Sequence, residues 1–240
     1  MINAEGEWVT LSEKIDKAIK VIQKQALLTD IIVGLSYGKD SLALCQLFRL
    51  AEVKPKYFHM YFLPNLRIEH ELASYCLARF NIKENEVFQY PSEHFIASYK
   101  YGYYTYALPE MKKKIKAISR KQLFAMISQK HKACICTGVK KADGIMMQRL
   151  LEHNKGIGIY PLMDWTLEDV LTFLKMYKID LPPLTLKGIR GIGIMDEDIL
   201  FINEYYPDDI ERIERFFPFG HRNQHNHLYN HLLNPYKFYQ

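Results

Sequence analysis

Thiols are scarce in this chain: Cys45, Cys76, Cys134 and Cys136 are the four cysteines in 240 residues. Cys45 and Cys76 stand among apolar, helix-patterned neighbours and read as small core residues. Cys134 and Cys136 form a Cys-x-Cys pair on a strand-like segment, so both side chains should face one side of a sheet. No second pair completes a four-thiolate zinc or iron–sulfur set, and no iron–sulfur cluster is expected. No run approaches the roughly 18 apolar residues of a membrane span, which excludes a membrane-crossing helix. Met1–Trp8 lacks the basic and apolar segments of a signal peptide. The expectation is a cytoplasmic protein with reduced thiols and no membrane association. Internal repeats are absent as well. Excess charge is small, at +5 with a pI near 8.8. That suits a nucleotide or nucleic-acid partner without specifying one.

What is present is organised around Ile31-Ile32-Val33-Gly34-Leu35-Ser36-Tyr37-Gly38-Lys39-Asp40-Ser41. Its first half is β-branched and strand-length. Leu42 to Leu50 follow as a helix that is apolar nearly all round, and so buried. The loop between them places Ser36, Gly38, Lys39 and Ser41 at a helix N-terminus. Unpaired N–H groups and the helix dipole favour an anion there. Gly38 permits close approach, Lys39 adds a charge, and the hydroxyls add donors, which together make a phosphate cradle. The plainer reading is a strand-to-helix turn with Ser41 as N-cap. The Walker pattern does not fit, because Asp40 separates Lys39 from Ser41.

Around this stretch the chain alternates. Residues 8–28 read as an amphipathic helix, with Thr10 and Glu13 at capping-box spacing. Strands are expected over Lys56–Leu63, Glu86–Tyr90 and Ala133–Thr137, and helices over 67–80 and Ile145–Leu151. This order argues for a parallel sheet with helices on both faces. In such sheets ligands sit beyond the carboxyl ends of strands. The turn Thr137-Gly138-Val139-Lys140-Lys141-Ala142-Asp143 should therefore share a crevice with the first loop. Thr166 is placed to cap a helix carrying Val170, Phe173, Leu174 and Tyr177.

Other segments leave alternatives open. Five tyrosines lie between Tyr99 and Tyr106. They suit a lid or stacking surface near a nucleotide, or an aromatic loop on the sheet edge. Lys112, Lys113, Lys114, Lys116, Arg120 and Lys121 read as the solvated basic face of a helix, in preference to a nucleic-acid patch. His221, His225, His227 and His231 lie in a polar tail that reads as solvated rather than as a zinc site.

Four ordered blocks carry a family resemblance. Ser36-Tyr37-Gly38-Lys39-Asp40-Ser41 resembles the pyrophosphate loop (PP-loop) of the adenine nucleotide alpha-hydrolase superfamily. The likeness is strongest to its phosphoadenosine-phosphosulfate (PAPS) reductase and ATP-sulfurylase small-subunit branch. Thr137-Gly138-x-Lys140-x-x-Asp143 resembles that branch's Thr-Gly-x-Arg-x-x-Asp/Glu-Ser, with Lys140 for Arg and Gly144 for Ser. Lys keeps the charge and loses the bidentate fork. Pro161-Leu162-x-x-Trp165-x-x-x-Asp169-Val170 matches a third block. Gly188-x-Arg190-Gly191-x-Gly193-Ile194 resembles Gly-x-Arg-Ser-x-Gly-Cys, retaining Arg190.

The resemblance implies a three-layer α/β sandwich of the HUP/PP-loop type, mostly parallel, over residues 1–195. A helical extension would occupy 196–240. It implies ATP or an adenylyl-sulfate-type nucleotide, with Mg²⁺ as a candidate companion. The nucleotide would be held by Ser36, Tyr37, Gly38, Lys39, Asp40, Ser41, Thr137, Gly138, Lys140 and Asp143. Lys39, Asp40, Ser41 and Arg190 would take the catalytic roles. Asp40 and Asp143 are metal-carboxylate candidates or salt-bridge partners for the lysines.

Two departures matter. The family's reductases attack with a late cysteine in an acidic-Cys-Gly-x-His setting, and this chain has none after Cys136. The acidic turn after the second strand is replaced by Phe62-Leu63-Pro64-Asn65-Leu66-Arg67. The leading expectation is adenylyl transfer, or ATP pyrophosphatase chemistry, that activates a substrate in sulfur metabolism or nucleic-acid modification. The alternatives are sulfonucleotide reduction with a thiol from a partner protein, and a nucleotide-sensing or nucleic-acid-binding module without turnover.

Overall fold

The computed structural model describes residues 9–101, 116–153, 158–182, 186 and 196–217. Arg190, Tyr103, Tyr104 and Tyr106, Lys112–Lys114 and the four tail histidines lie outside them. Helices α1 (Leu11–Ala26), α2 (Lys39–Leu50), α3 (Arg67–Phe80) and α4 (Glu93–Tyr101) interleave with strands β1 (Asp30–Gly34), β2 (Lys56–Tyr61) and β3 (Val87–Pro91). Then come α5 (Arg120–His131), β4 (Ala133–Cys136), α6 (Ile145–His153), β5 (Gly158–Ile159), α7 (Leu167–Met176), α8 (Asp196–Tyr205) and α9 (Pro207–Phe216).

The strands form one parallel sheet in the order β3-β2-β1-β4-β5, flanked by helices in the expected three-layer α/β arrangement. β1 is central and its Ile31, Ile32 and Val33 are buried, as a doubly covered parallel strand requires. It pairs with β2 through Gly34↔Phe58 and with β4 through Val33↔Cys136. The chain runs from β1 outward to β2 and β3, then returns to β4 on the other side of β1 and continues to β5. The strand order thus reverses between β1 and β4, and such a switch point opens a crevice at the carboxyl ends.

Local chemistry explains the helix starts. Thr10 with Glu13, Ser119 with Gln122, and Thr166 with Asp169 each form a reciprocal capping box, at α1, α5 and α7. Helix α2 is different. It begins after Gly38 with no side-chain cap, and Ser41 sits inside its first turn rather than at the cap. Its stability comes from burial of Ser41 through Phe48, packed against α1 and α7.

The chain divides into two compact units: Met1–Met60 with Leu72–Tyr90 and Ser119–Arg190, and Tyr61–Glu71 with Pro91–Ile118 and Gly191–Gln240. The first holds the strand ends around the crevice. In the second, Phe217 stacks on Phe62 at 5.7 Å and meets Phe95 edge-on at 6.3 Å. There Asp209, fully buried, accepts from the N–H groups of Arg67 and Ile68 at 2.8 and 2.9 Å. It closes the start of α3, where no local cap residue is available. No helix among the described residues is long and apolar enough to cross a membrane.

Candidate functional site

At the carboxyl end of β1 the chain turns through Leu35-Ser36-Tyr37-Gly38 into α2. The Ser36 N–H donates to the Ser41 hydroxyl at 2.8 Å, and the two hydroxyls lie 3.0 Å apart. Tyr37 adopts φ +57°, a left-handed conformation that costs a non-glycine residue about 1–2 kcal/mol. What holds it there is packing. The Tyr37 side chain is buried, its ring 4.6 Å from that of His59 on β2. His59 Nδ1 lies 2.7 Å from the Leu35 carbonyl oxygen, an acceptor, so that nitrogen is the protonated donor. Tyr37 is therefore an anchor beneath the loop, and its ring does not line the cleft.

The second turn leaves β4 at Thr137. Gly138 passes so close to the loop that a Cβ there would stand 2.9 Å from Asp40 Cβ. Only glycine lets the two turns meet at this distance. The contact brings charges together. Lys140 is 1 % exposed, with its Nζ 2.8 Å from Asp40 Oδ1 and 3.1 Å from Asp143 Oδ1. The angles at Nζ and at Asp40 Oδ1 fall short of hydrogen-bond geometry, so distance makes these contacts ion pairs. Asp40 Oδ2 takes Lys39 Nζ at 3.0 Å, and Asp143 Oδ2 accepts the Lys140 N–H at 3.0 Å. Lys140 is thus enclosed between the two turns and is not part of the cleft wall.

Between the turns lies a cleft of about 400 Å³. Ser36, Ser41, Asp40, Thr137, Gly138 and Asp143 form its polar side. Phe58, Met60 and Phe124 form an apolar side, and Arg120 stands at its rim. The Thr137 hydroxyl oxygen is buried there without a hydrogen-bond partner. Arg120 was expected on a solvated basic face. It reaches the cleft because Ser119 starts α5 beside it, and Phe124 lies one helical turn further on the same face. Only the i, i+4 pairing of Arg120 with an apolar residue hints at this in the sequence.

Residues 30–197 match the protein-family profile described as "Phosphoadenosine phosphosulfate reductase domain", well over half of the chain. The chain belongs to this family. The PAPS reductase domain family in turn places it in the PP-loop adenine nucleotide alpha-hydrolase superfamily, whose members include enzymes such as PAPS reductase and NAD synthetase. Two solved structures share the fold. One is an NH3-dependent NAD synthetase from Campylobacter jejuni subsp. jejuni NCTC 11168 in complex with the nitrate ion. It has 14% identity and a TM-score of 0.51, over 85% of this chain and 88% of that one. The other is a PAPS reductase from Candida auris, in a phosphate complex. It has 13% identity and a TM-score of 0.51, over 80% of this chain and 96% of that one. No curated protein sequence matches the chain.

Against the family's reductase chemistry, the thiols of this member are informative. Cys45, Cys76 and Cys136 are buried, and Cys134 is partly buried. Burial pushes the Cys136 and Cys134 thiols up, and Cys45 is raised by its contact with Cys76 and by burial. A raised thiol is protonated near pH 7 and a poor nucleophile. None of the four lines the cleft.

Proposed function

We propose that this protein binds an adenine nucleotide between the Ser36–Ser41 loop and the Thr137–Asp143 turn, and transfers its adenylyl group to an acceptor with release of pyrophosphate. The observation that carries this reading is the uncapped start of α2, which opens with Ser36 and Ser41 on the cleft. Its first-turn N–H groups have no intrahelical partner, and Gly38 at the N-cap has no side chain to accept from them. An anion satisfies them and meets the positive end of the helix dipole. The apolar side built from Phe58, Met60 and Phe124 suits a planar base, and the cleft volume lies in the range of small-molecule sites.

The chemistry follows from these donors. An acceptor oxygen attacks the α-phosphorus, the bond to the bridging oxygen breaks, and charge builds on the departing pyrophosphate. Fixed N–H groups, the Ser36 and Ser41 hydroxyls, Lys39 and Arg120 stabilise that charge more than they stabilise the ground state. The position of the four thiols supports group transfer over self-contained reduction.

Calorimetry with α,β-methylene ATP tests the reading. Saturable binding is expected, weakened at least 10-fold by S41A. No heat from this analogue, from ATP or from adenylyl sulfate would overturn it. Sulfite released from adenylyl sulfate in the presence of an added dithiol protein would move the assignment to reduction with a partner's thiol.

A further inference from the structure

Mg²⁺ is the companion ion that the family resemblance implies, and Asp40 and Asp143 are the carboxylates available for it. The residues do not fit that role. Both carboxylates face the buried ammonium of Lys140, at 2.8 and 3.1 Å. Lys39 takes the second oxygen of Asp40 at 3.0 Å, and the Lys140 main-chain N–H takes the second oxygen of Asp143 at 3.0 Å. Every carboxylate oxygen of the pair is thus already engaged by a cation or a donor. The four side chains sum to zero charge. Among the described residues no group of three or more His, Cys, Asp or Glu side chains is arranged to hold a metal ion.

We infer that Lys140 serves as a built-in cation between Asp40 and Asp143, in the place where a divalent ion would otherwise bridge the two turns. It is a positioning residue. Its ammonium ties the Ser36–Ser41 loop to the Thr137–Asp143 turn and leaves neither carboxylate free to coordinate metal. The Lys140 side chain is only 2% exposed, so the ammonium itself is shielded from water, while Asp40 and Asp143 keep 23% and 39% of their side-chain surface. An ammonium suits this position better than a guanidinium fork. It is compact and its donors turn freely, so it can serve carboxylates on two separate segments. Divalent ions at the cleft would then arrive on the phosphates of a ligand, with no carboxylate of this pair as a ligand.

The test needs no nucleotide, so its outcome is independent of the proposed reaction. Loss of the free Mn²⁺ electron paramagnetic resonance signal is titrated in the nucleotide-free protein. The wild type is expected to show no Mn²⁺ uptake that D40N abolishes. K140M removes the ammonium and leaves two facing carboxylates, so it is expected to gain one equivalent of Mn²⁺, lost again in K140M/D143N. If K140M does not fold, K140Q carries the same arm with a neutral amide in place of the charge. Uptake of one Mn²⁺ by the wild type that D40N removes would overturn the inference. So would a folded K140M or K140Q that takes up none. A merely structural lysine predicts lower stability in these variants and no new metal site.

Discussion

The hydroxyl of Ser41 accepts the main-chain N–H of Ser36 at 2.8 Å, so the first turn of α2 folds its own preceding loop into shape. S41A leaves that N–H without its partner, at a cost of about 1–3 kcal/mol. S36A removes the cleft hydroxyl but keeps the main-chain bond. We expect S41A to lower the unfolding free energy clearly and S36A to leave it within about 0.5 kcal/mol, while both weaken binding of α,β-methylene ATP. Urea denaturation beside calorimetry separates the two. Equal stability losses in both variants would show that the hydroxyl pair, not the main-chain bond, shapes the loop.

Tyr37 opposes two effects that substitution can separate. Its φ of +57° is unfavourable for any side chain, and its buried ring against His59 is favourable. Y37A loses the ring and retains the conformational cost, so a loss of about 3–5 kcal/mol is expected, in the range of large aromatic-to-alanine changes. Y37G loses the same ring and relieves the left-handed strain. It should be the more stable of the two by about 1 kcal/mol. Chemical denaturation of both proteins decides. If Y37A were the more stable, the strained φ would not be a feature of the folded loop.

Arg120 stands at the cleft rim at the start of α5. If it contacts an anionic part of the ligand, R120A should reduce affinity for the ATP analogue by about 10- to 100-fold, the range of a charge-assisted hydrogen bond. R120K keeps the charge and should recover only part of this. Binding isotherms at two salt concentrations check it. The same affinity in R120A and the wild type would return this residue to the solvated face.

The base of the second turn is tied to α1 by charge. Asp164 receives Lys141 and Lys17, each at 2.8 Å, and Asp169 receives Lys14 at 2.6 Å. Burial alone would raise both acids, but the lysine contacts outweigh it, joined at Asp169 by the Thr166 donors. Both carboxyls are held below their ordinary value. The folded state therefore binds these protons less readily than the unfolded chain. Their contribution is complete above the ordinary aspartate range, roughly pH 4, and is lost as pH falls through the depressed values. Denaturation midpoints measured from pH 6 down to pH 3 should fall, and D164N should flatten part of that slope. A slope unchanged in D164N would remove Asp164 from the account.

Some of this site was legible from neighbours in the sequence. The run from Ile31 to Val33 announces a buried strand, Thr166 and Asp169 announce a capped helix, and Ser36 to Ser41 announce the turn that joins that strand to α2. Each rests on interactions that span a few residues. Lys140 was not legible in the same way. Its charge suited a phosphate contact or a salt bridge to Asp40 or Asp143, and its enclosure by Asp40 depends on a glycine approach between segments about a hundred residues apart. Arg120 was hidden for a similar reason, since a helix face acquires a meaning only from what it lies against.

The sequence by itself therefore determined most of the strands and helices and the capped starts of α1 and α7, because propensity, capping and hydrophobic period act locally. It also determined that any thiol supplied by the chain itself would be one of four cysteines. The pairing of β1 with β4, Val33 beside Cys136, was decided only in three dimensions. That pairing sets the reversal of strand order, brings Thr137 and Gly138 against the Ser36–Ser41 loop, and buries Lys140 between two carboxylates. Strand pairing across such a distance is chosen by the fit of whole faces and not by any short motif.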